Sequence, residues 1–296
     1  GTVAFIIIIR FSETETTNTE RRNAGSGRNK GENISKKNDA ECRFRIYCFY
    51  RVRGYIMRTI LLFFYLIIFM VGSLLGFIPY IFIRLLGTRK AVDRYTALMT
   101  HIWSRSLLFV TGAQVTVYGR EHIPEGNSVC FVSNHQGIAD ILLISGNVPK
   151  VIGFIAKKEL KKVPIINIWM LITYCIFIDR GNIRQAADVI DQGARHIRRG
   201  HSMVVFPEGT RSRGPKMGTF KRGSIKLALR SESLIVPLTV SGTYKLFEEH
   251  NRIQPAEVVL RIHPPIDTRT LTAEQRRELP QKLAKTIEGG LHEISQ

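Results

Sequence analysis

From Thr59 to Ile83 the chain carries no charged side chain. At about 1.5 Å of rise per residue, a helix over this stretch is long enough to cross a hydrocarbon core of about 30 Å. A core helix of a globular domain rarely stays apolar on every side for this length, so the stretch specifies a helical membrane anchor. Pro79 is expected to kink or end that helix. Gly72 and Gly76 form a GxxxG, a spacing that lets helices approach closely and that also arises by chance. Arg51, Arg53 and Arg58 precede the stretch and Arg84, Arg89 and Lys90 follow it. Basic residues at both ends select no topology, and a single span and a re-entrant anchor both stay open.

Residues 1–56 do not read as part of a fold. After Phe11 they are rich in Ser, Thr, Asn, Gly and charge, and bury too little apolar area to offset ordering entropy. Translation is expected to start at Met57, which would make 1–56 a disordered or non-native extension; amino-terminal sequencing that finds residues before Met57 would refute this. Residues 57–111 read as the membrane-anchoring segment. Within it Thr88 can cap a second helix to about Val110, with Val92, Tyr95, Met99, Ile102 and Trp103 on one face.

From Gln114 the pattern changes to short β-branched runs alternating with amphipathic stretches, which predicts an α/β domain over 112–296, a mixed sheet flanked by helices. Strands are expected at Val115–Val117, Val129–Val132, Val151–Ala156, Cys175–Ile178, Met203–Phe206, Ile235–Val240 and Val258–Ile262. Helices are expected at Pro164–Leu171, from an Asn182 cap to Arg198, at Lys221–Leu229, and from about Thr272.

The run Val129–Val132 leads into Ser133-Asn134-His135-Gln136-Gly137-Ile138-Ala139-Asp140. A strand ending at Asn134 and a helix starting near Ile138 put His135 at a carboxyl strand end, where α/β sheets leave a ligand crevice. Asp140, in the first helical turn, can reach back to the imidazole, fix its tautomer and leave the other nitrogen as a base. By itself the pattern also fits a structural histidine and an aspartate complementing the helix dipole. Asn134 and Gly137 shape the turn. Two further polar blocks follow apolar runs: Asp179-Arg180, and Pro207-Glu208-Gly209-Thr210-Arg211-Ser212. Gly209, Thr210 and Arg211 can turn amides, a hydroxyl and a guanidinium onto a phosphate, with Lys221 nearby. Arg180 can clamp the same anion or pair with Asp179. Glu208 is unusual in an anion site, and is expected to orient Arg211 or meet a substrate hydroxyl.

These blocks carry a resemblance. Asn134-His135 with Asp140, Phe177-Ile178-Asp179-Arg180, Phe206 through Ser212, and Ile235-Val236-Pro237-Leu238 stand in the order of the four motifs of the glycerolipid acyltransferases, especially the 1-acyl-glycerol-3-phosphate acyltransferases. The resemblance implies His135 and Asp140 as the catalytic pair. It assigns Arg180, Glu208, Gly209, Thr210, Arg211 and Lys221 to the acceptor's phosphate, and links the Pro237 block to the acyl donor. It implies acyl transfer from acyl-CoA or acyl carrier protein to the sn-2 hydroxyl of lysophosphatidic acid, giving phosphatidic acid. The place of action would be the cytoplasmic face of a bacterial inner membrane. Glycerol 3-phosphate, a lysophospholipid or a lyso-ornithine lipid are alternative acceptors, and a non-catalytic module binding anionic membrane lipids is an alternative of another class. Pro237 inside a strand pattern implies an edge or a bulge.

The formal net charge of +19 calls for an anionic partner. The basic residues are dispersed and no nucleic-acid motif accompanies them, which favours membrane lipid and phosphorylated substrate over nucleic acid. Cys42, Cys48, Cys130 and Cys175 form no CxxC, and neither metal nor bound cofactor is implied. No Gly-x-Ser-x-Gly occurs, so direct attack by the acceptor is simpler than a covalent acyl-enzyme. The histidines other than His135 read as structural or solvated.

Overall fold

The computed structural model describes residues 29–126, 128–179 and 183–295. The chain divides into two compact units, Gly1–Arg53 and Gly54–Gln296. The described part of the first is helical backbone belonging to α1, Asn29–Leu86. The expected extension over 1–56 is thus helical from Asn29, and its first 28 residues lie outside the described residues. No proline interrupts 29–56, and its two glycines, Gly31 and Gly54, cost a helix only about 1 kcal/mol each.

Within α1, Ile56–Leu86 is long and apolar enough to cross a membrane, and only 6% of its most apolar window is buried. Pro79 lies inside the helix, which continues to Leu86 instead of ending. A proline removes one helical hydrogen bond, a loss that an apolar helix with packed neighbours tolerates. Helix α2, Arg89–Thr111, starts where Thr88 accepts a hydrogen bond from the Ala91 amide at 3.3 Å and stops at Gly112 in the left-handed region. It presents two faces. Val92, Thr96, Ser104, Leu107 and Leu108 are buried, whereas Tyr95 donates to the Gly76 carbonyl at 2.8 Å and Trp103 stacks on Phe69 at 5.4 Å. The expected single stripe mixes these faces, and Ile102 on it is exposed. Of the GxxxG pair, Gly76 packs against Trp169 while Gly72 faces open space.

The domain is an eight-stranded mixed sheet. Its strands are β1 Ala113–Tyr118, β2 Val129–Ser133, β3 Ile152–Lys157, β4 Ile176–Ile178, β5 Ser202–Val205, β6 Leu234–Ser241, β7 Ala256–Ile262 and β8 Ile266–Asp267. Their order is β1-β7-β6-β2-β5-β3-β4, with β8 also on β6. From β6 to β4 every pair is parallel, while β7 and β8 meet β6 antiparallel. The helices are α3 Ala139–Ser145, α4 Ile166–Ile172, α5 Ile183–Arg198, α6 Arg222–Ser231 and α7 Ala273–Ser295. Asn182, the expected cap of α5, lies outside the described residues.

The central strands read as continuous apolar runs because both faces are covered. In β2, Val129 and Phe131 join a core with Leu108 of α2 and Leu143 and Ile144 of α3. Cys130 and Val132 point the other way, into a core closed by α5, α6 and α7 through Ile197, Leu227 and Leu283. Burial pushes the Cys130 thiol up to about 12 and raises that of Cys175, so neither is a thiolate at neutral pH.

Pro237 lies in a central strand, not at an edge, paired in register with Val132. Its carbonyl accepts from the His263 amide at 3.0 Å, where β7 ends at Ile262, before β8 begins at Ile266. The nitrogen without a hydrogen faces this break in the partner ladder, so no hydrogen bond is lost there. The two-residue β8 was not legible in sequence.

Candidate active site

Strand β2 runs between β5 and β6 and parallel to both. Their carboxyl ends therefore open at the same end of the sheet, and residues far apart in sequence meet there. Asn134 extends β2 through its side chain: Nδ2 donates to the Val240 carbonyl and Oδ1 accepts the Val240 amide, each at 2.8 Å. This fixes the start of the turn.

The His135 ring stacks on Phe206 at 4.0 Å with 17° between planes. Its Nδ1 is 2.6 Å from Asp140 Oδ2. That oxygen also accepts the Gln136 amide at 2.7 Å and the Gly137 amide at 3.0 Å, and the Thr243 hydroxyl donates to Oδ1. Asp140 is fully buried, and four donors converge on its two oxygens. The Gln136 and Gly137 amides can only donate, so Oδ2 is an acceptor and His135 Nδ1 is the donor to it. Nε2 then carries the lone pair, and it has no hydrogen-bond partner among the described residues. The side chain keeps 10% exposure.

A second carboxylate braces the turn. Glu208 Oε1 accepts the His135 amide at 2.7 Å and Oε2 accepts the Gly218 amide at 2.8 Å. Burial raises its carboxyl above the ordinary value, and the two amide bonds draw it back. Both oxygens are engaged by backbone, so Glu208 does not orient Arg211 as expected. That is done by Glu248, whose Oε1 lies 2.8 Å from Arg211 Nη1 and also accepts the Ile138 amide at 2.8 Å. The amides of residues 135–138 thus each donate to a carboxylate, and none is left for a developing oxyanion.

The Glu208–Arg213 loop is zipped onto this turn. The Ser212 amide donates to the His135 carbonyl at 2.8 Å and the Arg213 amide to the Gln136 carbonyl at 3.1 Å. Gly209 has φ +70, a conformation a side chain would strain, and a Cβ there would stand 3.0 Å from Lys221 Nζ. The loop is anchored again where the Lys221 amide donates to the Pro207 carbonyl at 2.9 Å. Pro207 is buried, Thr210 and Lys221 are exposed, and the Arg211 side chain is 35% exposed. Arg211 and Lys221 therefore offer cations to solvent on the loop joined to His135. Arg180 lies outside the described residues, and the adjacent Asp179 pairs with Lys158. Thr243 and Glu248 follow β6 outside every motif. No sequence signal marks them, because their contacts exist only once β6 lies beside β2.

A family model described as Acyltransferase matches residues 114–241. A 1-acyl-sn-glycerol-3-phosphate acyltransferase of Borreliella burgdorferi is 31% identical over 187 residues, covering 63% of this chain and 75% of that protein. The Saccharomyces cerevisiae protein of the same name is 29% identical, covering 74% and 72%. The crystal structure of the 1-acyl-sn-glycerophosphate (LPA) acyltransferase of Thermotoga maritima superposes with a TM-score of 0.73 at 26% identity, covering 81% of this chain and 96% of that one. The chain belongs to the acyltransferase family that includes these 1-acyl-sn-glycerol-3-phosphate acyltransferases.

Proposed function

We propose that this acyltransferase transfers a fatty acyl group from the thioester of acyl-CoA or acyl carrier protein to the sn-2 hydroxyl of 1-acyl-glycerol-3-phosphate, giving phosphatidic acid. The observation that carries the mechanism is the 2.6 Å contact between His135 Nδ1 and a carboxylate that four donors hold in place. His135 Nε2 takes the hydroxyl proton as the oxygen attacks the thioester carbonyl. Asp140 stabilises the imidazolium that forms. The carbon–sulfur bond then breaks, the thiolate leaves, and the imidazolium returns the proton to it. Arg211 and Lys221 hold the acceptor's phosphate, with Arg180 as a further clamp. Because the turn amides are engaged by carboxylates, the oxyanion is stabilised by other groups.

The relatives named 1-acyl-sn-glycerol-3-phosphate acyltransferase support this acceptor. The exposed apolar helix and the exposed Ile138 beside His135 suit an acceptor and a product that reside in lipid. The site of action is the cytoplasmic face of the membrane that holds α1, where the acyl donors are dissolved. The test is acyl-CoA-dependent conversion of lysophosphatidic acid by the purified full chain in mixed micelles. Glycerol 3-phosphate, a lysophospholipid and a lyso-ornithine lipid serve as competing acceptors. Phosphatidic acid as the dominant product supports the reading; faster turnover of another acceptor overturns it.

A further inference from the structure

Glu248 belongs to none of the sequence blocks, yet it touches two of them. It follows the short 3-10 turn Thr243–Leu246 beyond β6, and its side chain is only 4% exposed. One oxygen, Oε1, accepts both the Ile138 amide and the Arg211 guanidinium, each at 2.8 Å. The other, Oε2, is buried without a hydrogen-bond partner among the described residues. A Cβ on Gly137 would stand 2.6 Å from Oε2, so the absent side chain at Gly137 is what admits the carboxylate. Glu248 is therefore pinned on one side by the turn that carries His135, and on its other side it holds a partly exposed guanidinium.

An arginine presents five N–H donors in a rigid planar fork, and the contact to Glu248 engages one nitrogen. The rest of the fork remains for an oxyanion, and its orientation is set before any ligand arrives. Without the carboxylate, a long side chain would have to be ordered at the moment of binding, which weakens affinity. We propose that Glu248 is a positioning residue for the acceptor: it presets Arg211 for the phosphate and, through the Ile138 amide, sets the spacing between that anchor and the His135 base. This rests on Arg211 being a phosphate ligand, as proposed above.

Glu248→Gln keeps the shape. Its amide oxygen can still accept from Ile138 while the charge that holds Arg211 is lost. Gly137→Ala retains the charge and pushes the carboxylate away, a second route to the same loss should the first variant fold poorly. Binding of glycerol 3-phosphate is measured by calorimetry for the wild type, E248Q, G137A, R211A and E248Q/R211A. The KM for lysophosphatidic acid and for acyl-CoA is measured alongside. E248Q and G137A are each expected to weaken phosphate binding and raise the acceptor KM by about tenfold, the size of one charge-assisted hydrogen bond. The acyl-CoA KM stays within about twofold, and E248Q adds less than about twofold to R211A, because the group it acts through is gone. Equal effects of E248Q with and without Arg211, or none at all, overturn the proposal and leave the phosphate role of Arg211 standing. An R211A that binds the probe like the wild type overturns both.

Discussion

Asp140→Asn isolates the charge of the catalytic pair from its geometry. Three N–H donors meet at Asp140 Oδ2 and one hydroxyl meets Oδ1. In the variant the amide oxygen must take the Oδ2 place, since an NH₂ there would face three donors. The NH₂ then faces Thr243, whose hydroxyl can turn to accept. His135 keeps its tautomer and position, and only the negative charge disappears. When His135 takes the proton, charge centres about 4 Å apart at an effective dielectric of about 20 interact by about 4 kcal/mol. Losing that stabilisation lowers kcat by about a thousandfold. Three N–H bonds also lose charge assistance at about 1 kcal/mol each, roughly 3 kcal/mol of stability. For a domain of this size that lowers Tm by roughly 6–12 °C. The assay is steady-state phosphatidic acid formation with both substrates varied, alongside thermal melts by circular dichroism. A variant that keeps more than about a tenth of wild-type kcat, or that loses activity in KM alone, would refute the pairing.

Three further outcomes are expected. His135→Ala should retain the wild-type circular dichroism spectrum and lose about two to four orders of magnitude in turnover; near-normal activity rules the base out. Arg211→Ala should raise the acceptor KM with kcat little changed, and a change in kcat alone would contradict uniform phosphate binding. The third concerns pH. Burial first, then neighbouring cations, lower His201 and His263 from 6.5 to about 4; Arg89 acts on the former and Arg261 on the latter. The folded state therefore binds fewer protons than the unfolded chain between about pH 4 and 6.5, and stability should be lost as pH falls through that window. Urea midpoints at pH 7, 5.5 and 4.5 measure this, and a His201→Gln/His263→Gln variant with an equally steep decline would count against it.

Local chemistry explains what was legible. The helix cap at Thr88 and the reach from Asp140 back to His135 depend on residues within a few positions of one another, and the structure has both; the strand expected to end at Asn134 ends one residue earlier, at Ser133. Elsewhere a distant partner decides. Glu208 looked like a companion of Arg211, three residues away, but the His135 and Gly218 amides claim it. Pro237 looked like an edge residue, yet it sits in a central strand, opposite the break between β7 and β8.

The amino-acid sequence alone determined the apolar helix, the alternation of buried strands and amphipathic helices, and the polar blocks at strand ends, because spacing along the chain encodes local conformation and burial pattern. The order of the strands, with β2 lying between β5 and β6, was decided only in three dimensions. That order makes Thr243 and Glu248 neighbours of the His135 turn and brings Glu208 to the His135 amide and Glu248 to the Ile138 amide. Such contacts join residues up to 110 positions apart. No local pattern encodes them, because they form only when separate strands pack side by side.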